Sequence, residues 1–194
     1  MHAKKCGRLE VIAGPMFSGK TTELIRLLER EEYAGKTTVM FKPEVDNRYH
    51  ERNVVTHKGA SHEALVVSSG GRGLGQIEKL GKGFEVVGID EAQFFRNGKE
   101  LIRIADSLAD MGKTVIVSLL NRSHLGEPFG DAPEMIARAD YVRMLTAVCR
   151  KCGNDATFTQ RVDQNGREIF GKLVEVEGKD SYEPRCRDCF VKPR

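Results

Sequence analysis

No stretch of this chain holds the roughly 20 consecutive apolar residues that a helix needs to cross a bilayer, which excludes a helical membrane protein. Low-complexity tracts are missing too, and apolar periodicity is visible throughout, so a disordered or fibrous chain is excluded. Nor does one sign of charge dominate. There are 31 Lys+Arg against 28 Asp+Glu, a formal +3, and no basic stripe of the kind that grips nucleic acid. The opening Met1-His2-Ala3-Lys4-Lys5-Cys6 lacks the apolar core of a secretory leader, so a soluble cytoplasmic protein is expected. With 194 residues, 40% of them hydrophobic, the chain can bury one sizeable core and has room for a small additional piece.

Cysteine is also scarce, but its spacing is informative. Cys6 stands alone and reads as an ordinary free thiol, while the other four form Cys149-x-x-Cys152 and Cys186-x-x-Cys189. Paired CxxC in an intracellular chain favours a metal site over a disulfide framework. Each pair turns two thiolates to one face, and two pairs complete a tetrahedral S₄ zinc site with no open position, hence a structural one. The basic neighbours Arg150, Lys151, Arg185 and Arg187 are expected to help keep the thiolates deprotonated. A redox CxxC or unrelated cysteines are the alternatives. The long interval between the pairs requires a protruding loop.

Ahead of the cysteines, strand and helix signals alternate. Residues 8–13 are β-prone and end at Gly14. Leu24, Ile25, Leu27 and Leu28 recur at helical spacing over residues 21–32, and a strand follows at 37–41. A polar loop precedes a further strand at 64–67. The glycines at 70, 71, 73, 75, 81 and 83 weaken any helix there, and a flexible connection is expected. Strands at 84–89, 114–120 and 141–148 frame helices near 98–110 and 133–139. Such alternation argues for a mostly parallel sheet with right-handed crossovers. The character changes after Val148, so two domains are expected, 1–148 and 149–194.

Gly14-Pro15-Met16-Phe17-Ser18-Gly19-Lys20-Thr21 satisfies G-x-x-x-x-G-K-[ST], with a strand before it and a helix after. A glycine-rich turn can aim backbone N–H groups at a polyphosphate, and the next helix adds its positive end. Lys20 then faces the outer phosphates, and Thr21 can ligate Mg²⁺. A chance tight turn is the alternative. Asp90-Glu91 ends an apolar strand, where an enzyme using a nucleoside triphosphate needs an acid to hold Mg²⁺. Successive strand residues point to opposite sides, so the two carboxylates are expected to differ in role. Asp90 suits Mg²⁺. Glu91 is either a base for an attacking hydroxyl or a solvated strand-end group. Asp90-Glu91-Ala92-Gln93 also suits a helicase-like, nucleic-acid-stimulated ATPase, although such enzymes usually need two sheet domains. A nucleotide-binding regulatory module without chemistry is a third possibility.

Taken in order, GPMFSGKT at 14–21, DEAQFF at 90–95, Pro128-Phe129-Gly130, LTAVCRKC at 145–152 and SYEPRCRDC at 181–189 resemble the thymidine kinases of bacteria and the animal cytosol. The resemblance implies an α/β fold: a P-loop (RecA-like), mostly parallel sheet flanked by helices, plus a small C-terminal zinc-ribbon or lasso domain. It implies transfer of the γ-phosphate of ATP to the 5′-hydroxyl of thymidine or deoxyuridine. Glu91 falls on the catalytic base, Asp90 on the Mg²⁺ residue and Arg48 on an arginine that reaches the phosphates, with Ala92 and Gln93 beside them. Met16, Phe94, Leu120, Phe129 and Tyr182 fall on nucleoside-pocket positions. The lasso, with Val174 and Val176, covers the base largely through backbone hydrogen bonds. A homotetramer and feedback inhibition by dTTP are implied as well.

The chain departs from the family pattern near that pocket. Asn121 replaces an acid, His124 an aromatic, and Glu177 one glycine of a double-glycine turn. These changes leave the phosphate machinery intact and bear on which nucleosides are accepted. His124 and His57 read as solvated loop residues without a catalytic role.

Overall fold

The computed structural model describes residues 7–44, 53–55, 61–170 and 181–192. Cys6, Arg48, His57, Val174, Val176 and Glu177 lie outside the described residues. In chain order the elements are β1 (Arg8–Gly14), α1 (Lys20–Tyr33), β2 (Thr38–Pro43), β3 (Asn53–Val55), β4 (Ser61–Glu63) and β5 (Leu65–Val67). Next come α2 (Gly71–Gly81), β6 (Val86–Ile89), a 3₁₀ turn (Ala92–Phe94), α3 (Gly98–Asp110), β7 (Thr114–Leu120), α4 (Ala132–Arg138) and β8 (Tyr141–Met144). The C-terminal part holds β9 (Ala147–Val148), β10 (Asp155–Ala156), β11 (Phe158–Val162) and β12 (Ser181–Arg185).

Six strands form one parallel sheet in the order β5-β2-β6-β7-β1-β8. Strand alternation sorts its side chains into two cores. Val11, Val115 and Val117 face α2, α3 and α4, whereas Ile12 and Ile116 face α1. Helix α1 buries Leu24, Ile25, Leu27 and Leu28 on that second face. Each such side chain removed from water contributes roughly 1.5–3 kcal/mol, which fixes the helix across the strand that feeds it. Strand β7 is buried at every position, as its near-continuous apolar run requires of a strand covered on both faces. Among the described residues no helix is long and apolar enough to cross a membrane.

Two expectations are corrected. The glycine-rich segment is not a flexible connection but the helix α2, which buries Leu74 and Ile77. Two of its glycines, Gly73 and Gly81, serve close packing: a Cβ on Gly73 would stand 1.8 Å from the carbonyl oxygen of Ser68. Two buried aliphatic residues and that close approach outweigh the low helix propensity of glycine, which counts about 1 kcal/mol per residue. The strand expected over 141–148 ends at Met144. Ala147–Val148 pair instead with Asp155–Ala156, because the chain turns there into the first cysteine knuckle.

Candidate active site

The phosphate loop sits where β1 leaves the sheet. Lys20 and Thr21 open α1, and Gly19 before them has φ +82°, a left-handed conformation that glycine adopts without strain. The loop is braced internally, for Ser18 Oγ and Lys20 Nζ both donate to the carbonyl oxygen of Pro15 at 2.8 Å. Lys20 is buried. That burial pulls its ammonium below the usual lysine range, opposed by the nearby charges of Glu91 and Asp90. A buried cation facing two carboxylates at the end of a phosphate loop is poised for an anionic ligand.

The carboxylates come from the end of β6. The hydroxyl of Thr21 donates to Asp90 Oδ2 at 3.0 Å and lies 3.2 Å from Oδ1. Ser118, from the neighbouring strand β7, also donates to Asp90 Oδ1. Burial pushes the Asp90 carboxyl above the ordinary range, while the Ser118 and Thr21 hydrogen bonds pull it back. Glu91 lies two residues beyond the strand at φ +51°, a left-handed backbone that costs a non-glycine residue roughly 1–3 kcal/mol. Its carboxylate accepts from Gln93 Nε2. Burial, and then the Asp90 charge, raise the Glu91 carboxyl. The two acids keep different company: Asp90 accepts from two hydroxyls, and Glu91 from an amide.

Several expected pocket residues converge close by. Phe94 and Phe129 meet edge to face at 6.3 Å. Gln93 Oε1 accepts from the backbone N–H of Leu120 at 2.9 Å, tying the 3₁₀ turn to the end of β7. Met16 reaches the C-terminal part, since its N–H donates to Thr159 Oγ1 at 3.0 Å. The ring of Tyr182 packs 6.2 Å from His124. His124 is thus not the solvated loop residue expected. It is only 4% exposed, because the loop after β7 folds under β12.

The four paired cysteines do come together. Their Sγ atoms all lie within 4.8 Å of one another, and those of Cys152 and Cys186 are 3.5 Å apart. Thiolates around one zinc at about 2.3 Å stand about 3.8 Å from each other, so the cluster fits a tetrahedral S₄ site. Burial pushes the Cys149 thiol up, but backbone N–H groups of Cys186, Lys151 and Cys152 bring it down to about 6. Three of the four basic neighbours are engaged elsewhere instead. Lys151 pairs with Glu168 at 2.9 Å, Arg185 pairs with Glu183, and Arg187 lies over Phe158. Local N–H donors point at the sulfur, whereas long cationic side chains reach past it.

A family model described as thymidine kinase matches residues 7–190. The chain belongs to the thymidine kinase family. It is 45% identical over 190 residues to the thymidine kinase of Thermococcus kodakarensis (strain ATCC BAA-918 / JCM 12380 / KOD1), covering 96% of this chain and 95% of that one. It is 43% identical over 194 residues to the thymidine kinase of Rhodothermus sp. (strain ITI 518), covering 100% and 85% respectively. The family match spans both the sheet and the cysteine cluster.

Three contacts within this thymidine kinase family member escaped the sequence reading. Ser118 carried a signal, being the one polar residue deep in an apolar strand. Thr159 carried none, for nothing in its neighbours says that β11 will lie against the loop at Met16. Gln93 is expected among the phosphate-binding residues, but its bridge between Glu91 and Leu120 exists only in three dimensions.

Proposed function

We propose that this chain transfers the γ-phosphate of ATP to the 5′-hydroxyl of thymidine, and of deoxyuridine. The observation that carries the reading is the meeting of Thr21 with Asp90 beside the buried Lys20, with Glu91 one residue away. Family membership supports phosphorylation of thymidine.

The residues present divide the work. Backbone N–H groups of residues 14–21 and the ammonium of Lys20 hold the phosphates, and Arg48 reaches the same group. Thr21 and Asp90 would hold Mg²⁺, which, when bound, offsets charge on the phosphate oxygens. The 5′-oxygen attacks the γ-phosphorus, the bond to the bridging oxygen of ADP breaks, and the hydroxyl proton passes to the Glu91 carboxylate. Gln93 orients that carboxylate, and Ala92 and Gln93 belong with the phosphate-binding residues. Positioning and charge neutralisation supply most of such a rate enhancement. Met16, Phe94, Leu120, Phe129 and Tyr182 enclose the base, and Val174 and Val176 cover it through their backbone. The cysteine cluster holds structural zinc. A first domain of 1–148 binds the phosphates and a second of 149–194 covers the nucleoside. Assembly as a homotetramer, inhibition by dTTP and a cytoplasmic location complete the proposal.

Incubation of the pure protein with ATP, Mg²⁺ and a panel of nucleosides tests it. Thymidine should yield its 5′-monophosphate. Turnover of purine nucleosides without thymidine would overturn the assignment, and ATP hydrolysis stimulated only by single-stranded nucleic acid would favour the ATPase reading.

A further inference from the structure

A second concentration of positive charge lies apart from the phosphate loop. Arg122 stands in the loop after β7, Arg187 in the second cysteine knuckle, and Lys192 beyond β12. All three line one cavity of about 280 Å³, walled by the ring of Phe158. The Cζ of Arg122 lies 4.7 Å from the centre of that ring, and the Cζ of Arg187 lies 5.2 Å from the same centre. Phe158 is itself held in a stack with Phe190 at 4.5 Å. The two guanidinium groups are therefore gathered on a rigid platform.

Neutralisation is what they lack. Among the described residues no carboxylate lies within ion-pair distance of Arg122, Arg187 or Lys192, whereas the nearby Lys151 and Arg185 are paired with Glu168 and Glu183. One acid, the exposed Glu127, shares the lining. Cation–π contact with the Phe158 ring offsets only part of the cost of gathering two like charges. Arg122 spends one contact on the carbonyl oxygen of Thr157, at 3.5 Å. The rest of its fork, and all of Arg187's, is available to a ligand.

We propose that this cavity binds a small polyanion of the di- or triphosphate class between Arg122, Arg187 and Lys192. Guanidinium forks match phosphate oxygens two at a time, and an ammonium adds a point charge. A concave site of this volume suits a short phosphate chain. A nucleic acid backbone would call for a longer basic track, and the nearly balanced charge of the chain does not supply one. None of the residues of the phosphate loop lines the cavity, so the site stands independently of the proposed phosphoryl transfer.

Titration calorimetry on the full-length, zinc-loaded protein carrying Lys20→Ala tests this, because that change removes the lysine of the phosphate loop. Tripolyphosphate and Mg²⁺-free ATP are titrated separately. Saturable binding of tripolyphosphate is expected, weakened on the order of tenfold or more by adding Arg122→Gln and Arg187→Gln. Equal affinity for the two ligands assigns recognition to the phosphate chain alone, and tighter ATP makes a nucleotide the natural ligand. Undiminished binding in the glutamine variant overturns the proposal. So does no binding in the Lys20→Ala parent, or binding of an oligonucleotide without tripolyphosphate. Should the glutamine variant melt early, the exposed Lys192→Glu decides: affinity must fall by about tenfold, and unchanged affinity rejects the site.

Discussion

Met16 and Thr159 join the two halves of the site. The backbone N–H of Met16, inside the phosphate loop, donates to the buried hydroxyl of Thr159 on β11 at 3.0 Å. One bond thus carries the position of the cysteine-bearing part to the loop that would hold the phosphates. Thr159→Val keeps the shape and leaves the Met16 N–H unpaired, a loss of about 1–3 kcal/mol. Steady-state kinetics should show kcat/KM for ATP falling by about tenfold. Wild-type kinetics would mean that the loop is positioned without this contact.

Glu91→Gln tests the base. The variant preserves shape and removes the proton acceptor, so turnover should drop on the order of 10² or more. Retained turnover would assign proton removal to another group.

Acidity provides a second readout of the same residue. Burial and the Asp90 charge raise the Glu91 carboxyl above the ordinary glutamate value of about 4.3. A base must be deprotonated, so activity should fall as pH drops through that raised value, and the acid limb should stand above the ordinary range. Stability runs the other way. A raised native pKa contributes stability below the unfolded value that is lost as pH rises through the native one. Ligand-free Glu91→Gln should therefore melt above the parent, by a margin that widens from about pH 4 upward. Melting curves across pH check the sign.

Cys186→Ala removes a buried member of the sulfur cluster. Zinc binding to such a site is folding energy for the piece around it, so metal content should fall and the C-terminal part should become protease-sensitive. The sheet should stay cooperative. Stoichiometric zinc in the purified variant would rule out a four-cysteine site.

Helix α2 offers a matched pair. Gly73→Ala would drive a Cβ to 1.8 Å from the Ser68 carbonyl oxygen, and overpacking against backbone should cost about 1–3 kcal/mol or more. Gly75 has nothing within 4 Å of the same added atom, so Gly75→Ala should stabilise by about 0.5–1 kcal/mol. Denaturant titration of both variants measures the contrast.

Elements whose causes are local were legible in the order of residues alone. An apolar run at 114–120 makes a two-sided strand, Leu24 to Leu28 make an amphipathic helix, and a glycine-lysine-threonine turn makes the phosphate loop. The CxxC pairs likewise announced their partnership, because metal ligation imposes short and repeated spacing. Other features have causes of longer range and come only with the folded chain. Gly73 and Gly81 read as helix breakers until the neighbours they accommodate were in place, since a glycine's propensity is local and its packing is not. His124 read as solvated until the loop after β7 lay under Tyr182. Thr159 beside Met16, Ser118 beneath Asp90, and the two arginines around Phe158 depend on strands far apart in the chain meeting in one register. No periodicity of a single segment encodes such meetings, because each is fixed by the core that both segments help to bury.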